Sequence, residues 1–559
     1  MLLPREGSSF SDTIDASIYL KRVRASGTGF YYNPLYGYIP LRPVIRQAID
    51  LPEVQRLRGL KQLSILYLVF PGAVHTRFEH SIGTLYLSEM VWSCLIRKQA
   101  DIEDKARLKL TECHLLSLQL ASLFHDIGHG PFSHIFESFC DRYEKSEYTH
   151  ETITAQLIEN GLGRYKNIPL FLRQLVSWFE EHDYKKEEAR LLEPSNIANL
   201  AKGFPPTVSE YTEYAFLGQL LKFPVDIDRM DYLRRDAFHT GVETGVTDIW
   251  DILHHFTLYR DEAKKVWLLK VEAEASEAVE ALLKTREQTY RKVYYNPLHR
   301  SSQELLIRAF HDLVESKKYD MNELVLKDDQ EAMDIFEKEG TALCKKVASR
   351  LRWRHLYENL PFSLNLSRDF ESNSKEKRAI LWKKEYIKVV ETETKLAKDM
   401  DLHPGDTVIF DLETVPLAKD EDFKTPILLT RNDEPRSMLE LCPHLELVYG
   451  EYKDPRMTEP IQLGEVWREK LSNFFIYVPL ELIDRFAKEI LRQVSHEKKT
   501  LKELDKDFVV KHCEETLSHC STMVTALLDL VQIPEKKKKQ IINDFESRMA
   551  EYLIRYINS

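Results

Sequence analysis

One stretch limits what this chain can fold into more than any other. Leu115, Leu116, Leu118, Leu120, Ala121 and Leu123 make the end of a helical pattern over residues 104–126 apolar on all sides. A helix that is apolar all round has to be buried. The pattern runs into His125-Asp126-Ile127-Gly128-His129-Gly130-Pro131-Phe132-Ser133-His134, where two glycines and a proline stop it. The chain therefore carries an adjacent His-Asp pair to the end of a core helix and opens it into a loop crowded with further histidines. Histidine is scarce elsewhere, with 19 in 559 residues. Burying such a pair without a cation costs on the order of several kcal/mol.

Histidine with aspartate is the donor set of Fe, Mn, Zn, Co or Ni, and of Mg where phosphate oxygens complete the shell. His125 and Asp126 diverge by ~100° on a regular helix, but at a glycine turn both can face one ion. Two ligands are too few. His80, in Arg77-Phe78-Glu79-His80-Ser81, and the cluster Asp226-Ile227-Asp228-Arg229-Met230-Asp231 are the candidates for the rest. Taken singly, each reads as a hydrogen-bonded core or surface residue. Taken as a set, they point to a divalent metal.

The chain is too long for one simple core, so several domains are expected. Residues 1–28 read as a loose polar arm, and Tyr31 to Tyr38 carries turn chemistry around Asn33-Pro34 and Gly37. Helices are expected over 43–49, after Asp50 as a cap with Pro52 in the first turn, and over 79–97, 104–126, 150–159, 168–182, 207–221, 226–239, 274–296 and 298–317. One β-hairpin is expected over 258–271, turning at Arg260-Asp261-Glu262. Residues 321–400 read as a charged helical extension. The texture then changes to strands at Thr407–Phe410, Pro426–Leu429, Leu445–Tyr449 and Phe474–Val478, followed by helices over 481–494 and from Asp507 onward. Lys536 to Lys539 reads as a solvated helix start.

The formal net charge of −11 and pI near 6.0 exclude a surface built wholly for nucleic acid. The 7 cysteines show no CxxC spacing and read as free thiols in a reducing cytosol. Met1 to Phe10 lacks a leader pattern, and Leu115 to Phe124 is too short for a ~30 Å bilayer core. A cytoplasmic protein is expected, with no membrane partner.

The motifs together resemble the HD-domain phosphohydrolases, and more narrowly the deoxynucleoside triphosphate triphosphohydrolases. The pattern His…His-Asp…Asp falls on His80, His125-Asp126 and Asp228. The resemblance covers about residues 30–320 and implies a mainly α fold, an HD helical bundle core over 29–320, and a smaller α+β and helical region over 401–559 that regulates or oligomerises. It implies a divalent metal (Mn, Mg, Fe or Zn) on those four residues. It implies His134 as proton donor to the 5′ oxygen, supported by His129, His150 and Glu137. Arg77, Arg229 and Arg286 match phosphate-binding positions, with Arg229 standing where relatives usually carry Lys. Gln62, Leu63, Tyr232, Asp236 and Tyr294 match positions that bind the 3′-hydroxyl and pack against a sugar lacking a 2′-hydroxyl. The reaction implied is hydrolysis of a dNTP to deoxynucleoside and inorganic triphosphate. An HD phosphatase or phosphodiesterase acting on another nucleotide is the alternative.

Activated relatives bind a guanine nucleotide between subunits. Asp50, Gln55 and Arg58 match that site, which implies an activating nucleotide and a homo-oligomer (dimer, tetramer or hexamer). The upstream part departs: relatives carry Asn-Asp-Pro-x-His-Gly, and this chain has Tyr32-Asn33-Pro34-Leu35-Tyr36-Gly37, with Gly29 in place of a phosphate-binding Lys.

Overall fold

Helices form most of the computed structural model, as the spacing of apolar residues requires. It describes residues 29–559 apart from 101–107, 144–147, 183, 246, 362–363, 366–385, 404, 415–424, 431, 433, 442–450, 453–460, 463–471, 498, 502–503, 531–532 and 534. The chain enters through an antiparallel hairpin, β1 (Gly29–Asn33) and β2 (Gly37–Leu41). The Asn-Pro-Gly segment turns it, with Asn33 Oδ1 accepting from Leu35 N at 2.9 Å and Gly37 at φ 71°. Helices α1 (Pro43–Ile49) and α2 (Pro52–Arg56) follow. Asp50 does not cap α2: Leu51 is its N-cap, and Asp50 closes the end of α1 instead.

The core helices are α3 (Arg77–Ala100) and α4 (Glu112–Phe124), packed on each other. Every residue of α4 except Glu112 and Leu115 is buried. The helix starts later than its pattern suggests. Thr111 precedes it, with its N–H donating to His114 Nδ1 at 3.2 Å, and residues 108–110 are not helical. The proposed start at 104 lies outside the described residues. Helices α5 (His134–Arg142), α6 (His150–Glu159) and α7 (Ile227–Thr240) frame the site.

The expected helix over 207–221 is only two short pieces, Ser209–Tyr211 and Phe216–Gln219. The backbone between them is drawn to a strand: Glu213 O accepts from Trp267 N at 2.7 Å. That strand belongs to the hairpin β3 (Phe256–Asp261) and β4 (Val266–Glu272). The turn lies after Asp261, which accepts from Lys264 N at 3.0 Å while Lys265 takes φ 57°. Helix α8 (Ser276–Thr289) widens into a π-turn over Tyr290–Tyr294, and α9 (Pro297–Glu315) follows.

Helix α10 (Asp329–Lys338) lies in the segment expected to be wholly helical, but that segment also holds strands β5 (Tyr357–Asn359) and β6 (Leu364–Asn365). Helix α11 (Tyr386–Asp399) comes next. Strands β7 (Ile409–Thr414), β8 (Leu428–Leu429), β9 (Pro435–Arg436) and β10 (Ser472–Pro479) complete one antiparallel sheet and one mixed sheet. β10 pairs with β5, β6 and β7, while β8 joins β4 in parallel and β9 antiparallel. The strand expected over Leu445–Tyr449 lies outside the described residues. Helices Leu480–His496, Lys506–His512, Glu514–Leu530 and Glu535–Asn558 close a second core around Phe410, Ile476, Ile490 and Met549. No helix among the described residues is long and apolar enough to cross a membrane. The six described cysteines are buried free thiols.

Candidate active site

Two histidines, buried His80 and partly buried His125, point their Nε2 atoms at one another. His125 Nδ1 donates to Ser122 O at 2.8 Å, inside the last turn of α4. His80 Nδ1 lies 2.7 Å from Asp231 Oδ2, a carboxylate that accepts its proton. With both Nδ1 atoms committed, each Nε2 is the ring nitrogen that a metal would take once it is deprotonated, and the two lie 3.2 Å apart. Asp228 Oδ1 stands 3.0 Å from His80 Nε2 and 3.6 Å from His125 Nε2. Asp126 contributes Oδ2 at 3.8 Å from His80 and Oδ1 at 3.4 Å from His125. Electron-rich atoms gathered this closely repel unless positive charge, a proton on His80 or a metal ion in its place, sits among them. The donor set fits a divalent metal.

The same carboxylates act on protons. Burial alone would push His80 down, but hydrogen bonds to Asp228 and Asp231 raise it to about 10. Burial would raise Asp228 and Asp231, yet their histidine and arginine neighbours hold both well below the usual carboxylate range. Asp231 is itself pinned, accepting from Arg235 Nε at 2.9 Å, Arg235 Nη2 at 2.8 Å and Tyr36 OH at 2.8 Å.

Next to this cage stands a rim of three histidines. The His129 and His150 rings stack at 4.2 Å and 9°, and His134 meets them edge-on at 4.9 and 5.6 Å. Glu137 bridges two of them, accepting from His134 Nδ1 at 2.9 Å and His150 Nδ1 at 3.1 Å. The three differ in charge. Burial, then Arg77 and His150, drive His129 well below its ordinary value, so it is neutral. Burial pulls His150 down too, but Glu137 more than offsets it and raises His150. The His134 side chain is 66 % exposed and opens to the cavity.

The loop between cage and rim is bent into an unusual path. Phe132 and Ser133 both take left-handed φ, 58° and 57°, at a cost of about 1–2 kcal/mol per residue. Gly128 lies so close to α6 that a Cβ there would sit 2.2 Å from His150 O. Arg77 holds the loop: Nη1 donates to Asp126 Oδ2 at 2.6 Å and Nε to Ser133 Oγ at 2.7 Å. Arg77 thus spends its guanidinium on a cage carboxylate, an arrangement that the spacing from Arg77 to His80 does not reveal.

A cavity of about 630 Å³ opens over cage and rim. Its walls include Gln62, Leu63, Arg77, His80, Asp126, His129, His134, His150, Asp228, Tyr232, Asp236 and Tyr294. Gln62 Oε1 is buried there without a hydrogen-bond partner. Asp236 accepts from His75 Nε2 at 2.8 Å and from the Tyr294 hydroxyl. Of the expected site residues, His125, Glu137, Arg229 and Arg286 do not line it. Arg229 donates to Pro224 O at 3.0 Å, and Arg286 is buried with its guanidinium 4.8 Å from the Tyr290 ring.

Sequence reasoning overlooked the groups that hold these residues in place. Asp231 and Arg235 lie at helical spacing from Asp228, which was a usable signal. Arg142 and Arg300 also line the cavity and are locked to Glu304 and Asp411, the latter on β7. Nothing local in the sequence marks that long-range pairing. Gln55 and Arg58 meet on the surface, with Arg58 Nε donating to Gln55 Oε1 at 2.8 Å and its guanidinium 3.6 Å above the Phe78 ring. Asp50 is exposed at the end of α1.

Comparison with known proteins gives this geometry a context. The HD domain family matches residues 77–236, and the HD-associated region matches residues 254–443. An uncharacterised protein of Methanocaldococcus jannaschii is 30% identical over 320 residues, 57% of each chain. Deoxynucleoside triphosphate triphosphohydrolase SAMHD1 of Danio rerio is 33% identical over 229 residues, 40% of this chain and 36% of that protein. The Homo sapiens protein of that name is 33% identical over 219 residues, 38% and 33% of the two chains. The matches thus span only about a third to just over half of these relatives. A solved hypothetical protein from Aquifex aeolicus aligns at TM-score 0.53 and 25% identity, covering 82% of this chain and 98% of the other. A solved phosphohydrolase from Bacteroides thetaiotaomicron shares the fold at TM-score 0.53 and 20% identity, covering 81% and 100%.

Proposed function

Because the chain belongs to the HD-domain phosphohydrolase family, we propose that it hydrolyses deoxynucleoside triphosphates to deoxynucleoside and inorganic triphosphate. The observation that carries this reading is a single cavity holding the His/Asp cage, the histidine rim and the polar end built from Gln62, Asp236 and Tyr294. His80, His125, Asp126 and Asp228 would hold Mn, Mg, Fe or Zn, which when bound polarises a phosphoryl oxygen and activates water.

The chain's own groups divide the remaining work. His134 faces the cavity with Nδ1 held by Glu137, so its Nε2 is the group placed to give a proton to the departing 5′ oxygen. His150, whose hold on a proton Glu137 strengthens, faces phosphate charge. Neutral His129 hydrogen-bonds phosphate while resting against Asp126 Oδ1 at 3.4 Å. Gln62 Oε1, lacking a partner, accepts the 3′-hydroxyl proton, and Asp236 with Tyr294 lines the same end of the cavity. Leu63 and Tyr232 pack the sugar face and leave no room for a 2′-hydroxyl. Arg77 supplies a cation at the cavity for the phosphates, and Arg229 and Arg286, outside its lining, would have to swing in to add theirs. Asp50, Gln55 and Arg58 take an activating nucleotide in a homo-oligomer.

The test is kcat/KM for each dNTP against its ribonucleotide. A wall that excludes the extra oxygen favours the dNTP by ~10²-fold or more, and equal turnover sinks the reading. A phosphatase or phosphodiesterase acting on another nucleotide is the second reading. It draws on Arg77, whose guanidinium is engaged by Asp126 and Ser133 rather than turned to a triphosphate.

A further inference from the structure

The segment Lys327–Asp329 reaches across to the catalytic loop from outside the HD domain match. Asp328 serves its own helix, accepting from Glu331 N at 2.8 Å as N-cap of α10. Asp329 does not. Its carboxylate is buried, 4% exposed, and turns away to accept two backbone N–H groups from other parts of the chain. Phe132 N donates to Oδ1 at 2.7 Å and Lys61 N donates to Oδ2 at 2.9 Å. Phe132 is the first of the two left-handed residues before His134, and Lys61 precedes Gln62 and Leu63.

A second tie grips the other end of the same loop. Arg56 is buried, and its Nη2 donates to Ile127 O and His129 O, each at 2.7 Å. Its Nη1 donates to Lys327 O at 3.0 Å. The approach is tight: a Cβ on Gly59 would lie 2.8 Å from Asp328 Cβ.

We infer that Asp329 and Arg56 are positioning residues: through them the HD-associated region holds the His129–His134 loop in its strained path and fixes its distance from the Gln62–Leu63 wall. The local chemistry agrees. A carboxylate beside two N–H donors stabilises a φ that Phe132 would not choose alone. Burial pushes Asp329 up to about 6 while its two N–H donors pull it down, so the site keeps an awkwardly buried acid.

The catalytic half of this inference rests on the phosphohydrolase reading; the holding half does not. The experiment is Asp329→Asn in the full chain, read by hydrogen exchange in peptides over 57–63, 127–134 and 115–123, by bound Mn²⁺, and by dNTP kinetics. Asn accepts one N–H but turns a donor on the other. Exchange should rise about tenfold or more in the first two peptides and stay constant in the third. The kcat should fall about 10–100-fold, as displacement of a proton donor requires, with bound metal unchanged. Arg56→Lys, which cannot span three carbonyls, should open the 127–134 peptide, and it decides the matter if Asp329→Asn does not fold. Unchanged exchange in the folded variants overturns the inference. So does faster exchange with unaltered kcat. If the wild type turns over no dNTP, the function reading fails and exchange alone judges the tie.

Discussion

Asp231→Asn removes no metal ligand, yet it should disable the metal cage. Asp231 is fully buried and serves His80 Nδ1, Arg235 Nε and Nη2, and Tyr36 OH. An amide has one oxygen for these donors. If the oxygen takes the Oδ1 place, towards Arg235 Nη2 and Tyr36, the amide N–H₂ faces His80 and Arg235 Nε, and the imidazole proton moves to Nε2, the atom that points into the cage. If the oxygen faces His80, Arg235 loses an acceptor and keeps only Glu79, at 2.7 Å, as a charge partner. Loss of a partner around a metal-binding histidine costs ~10–100-fold in metal affinity, or about 1.4–2.7 kcal/mol. Leaving a buried Arg half-paired costs up to about 3–5 kcal/mol of stability, less whatever Glu79 retains. Calorimetric titration of metal-stripped protein with Mn²⁺ and a thermal melt read the two terms separately. Affinity within a factor of about two of wild type would refute the account of how His80 is oriented.

Other perturbations test other parts. Gly83→Ala puts a methyl group into the Asp231 carboxylate and the Arg235 guanidinium, so metal affinity should drop as in Asp231→Asn; normal binding would contradict the packing. Asp126→Ala takes a cage oxygen and frees Arg77, so turnover should fall to background; surviving activity would show that the cage is misassigned. Burial lowers His114 to about 3. The unfolded chain therefore binds the proton first, and stability from this residue is full above pH ~6.5 and drains as pH falls towards 3, with an upper bound of about 5 kcal/mol. His114→Gln should flatten that acid limb in urea melts; an unchanged slope would count against it. Arg58→Ala should lose any rate gain seen in dNTP mixtures over single dNTPs, and retained activation would remove Arg58 from the regulatory site.

Much of this arrangement is legible in the chain because the information is local. A helix apolar on all sides had to be buried, and its Gly-Pro ending had to turn, so His125 and Asp126 had to sit at the lip of a core. Asp228, Asp231 and Arg235 follow helical spacing, so their shared environment was within reach too. Pairings between distant segments were not. Nothing near Arg77 announces Asp126 as its partner, and nothing near Arg300 announces Asp411. The strands β5 and β6 were hidden in charged sequence because their pairing partner, β10, comes more than a hundred residues later in the chain. The helix expected over 207–221 lost to hydrogen bonds with β4. Asp50 looked like a helix cap, but Leu51 took the extended conformation that a cap needs.

The central claim is that the bond broken joins the 5′ oxygen to the α-phosphorus, with triphosphate leaving whole. The direct measurement is the phosphate product from each dNTP with Mn²⁺, resolved by phosphorus NMR against standards. Inorganic triphosphate and deoxynucleoside in equal amounts is the predicted result. Orthophosphate or pyrophosphate as the first product would contradict it and leave a phosphohydrolase with a different substrate.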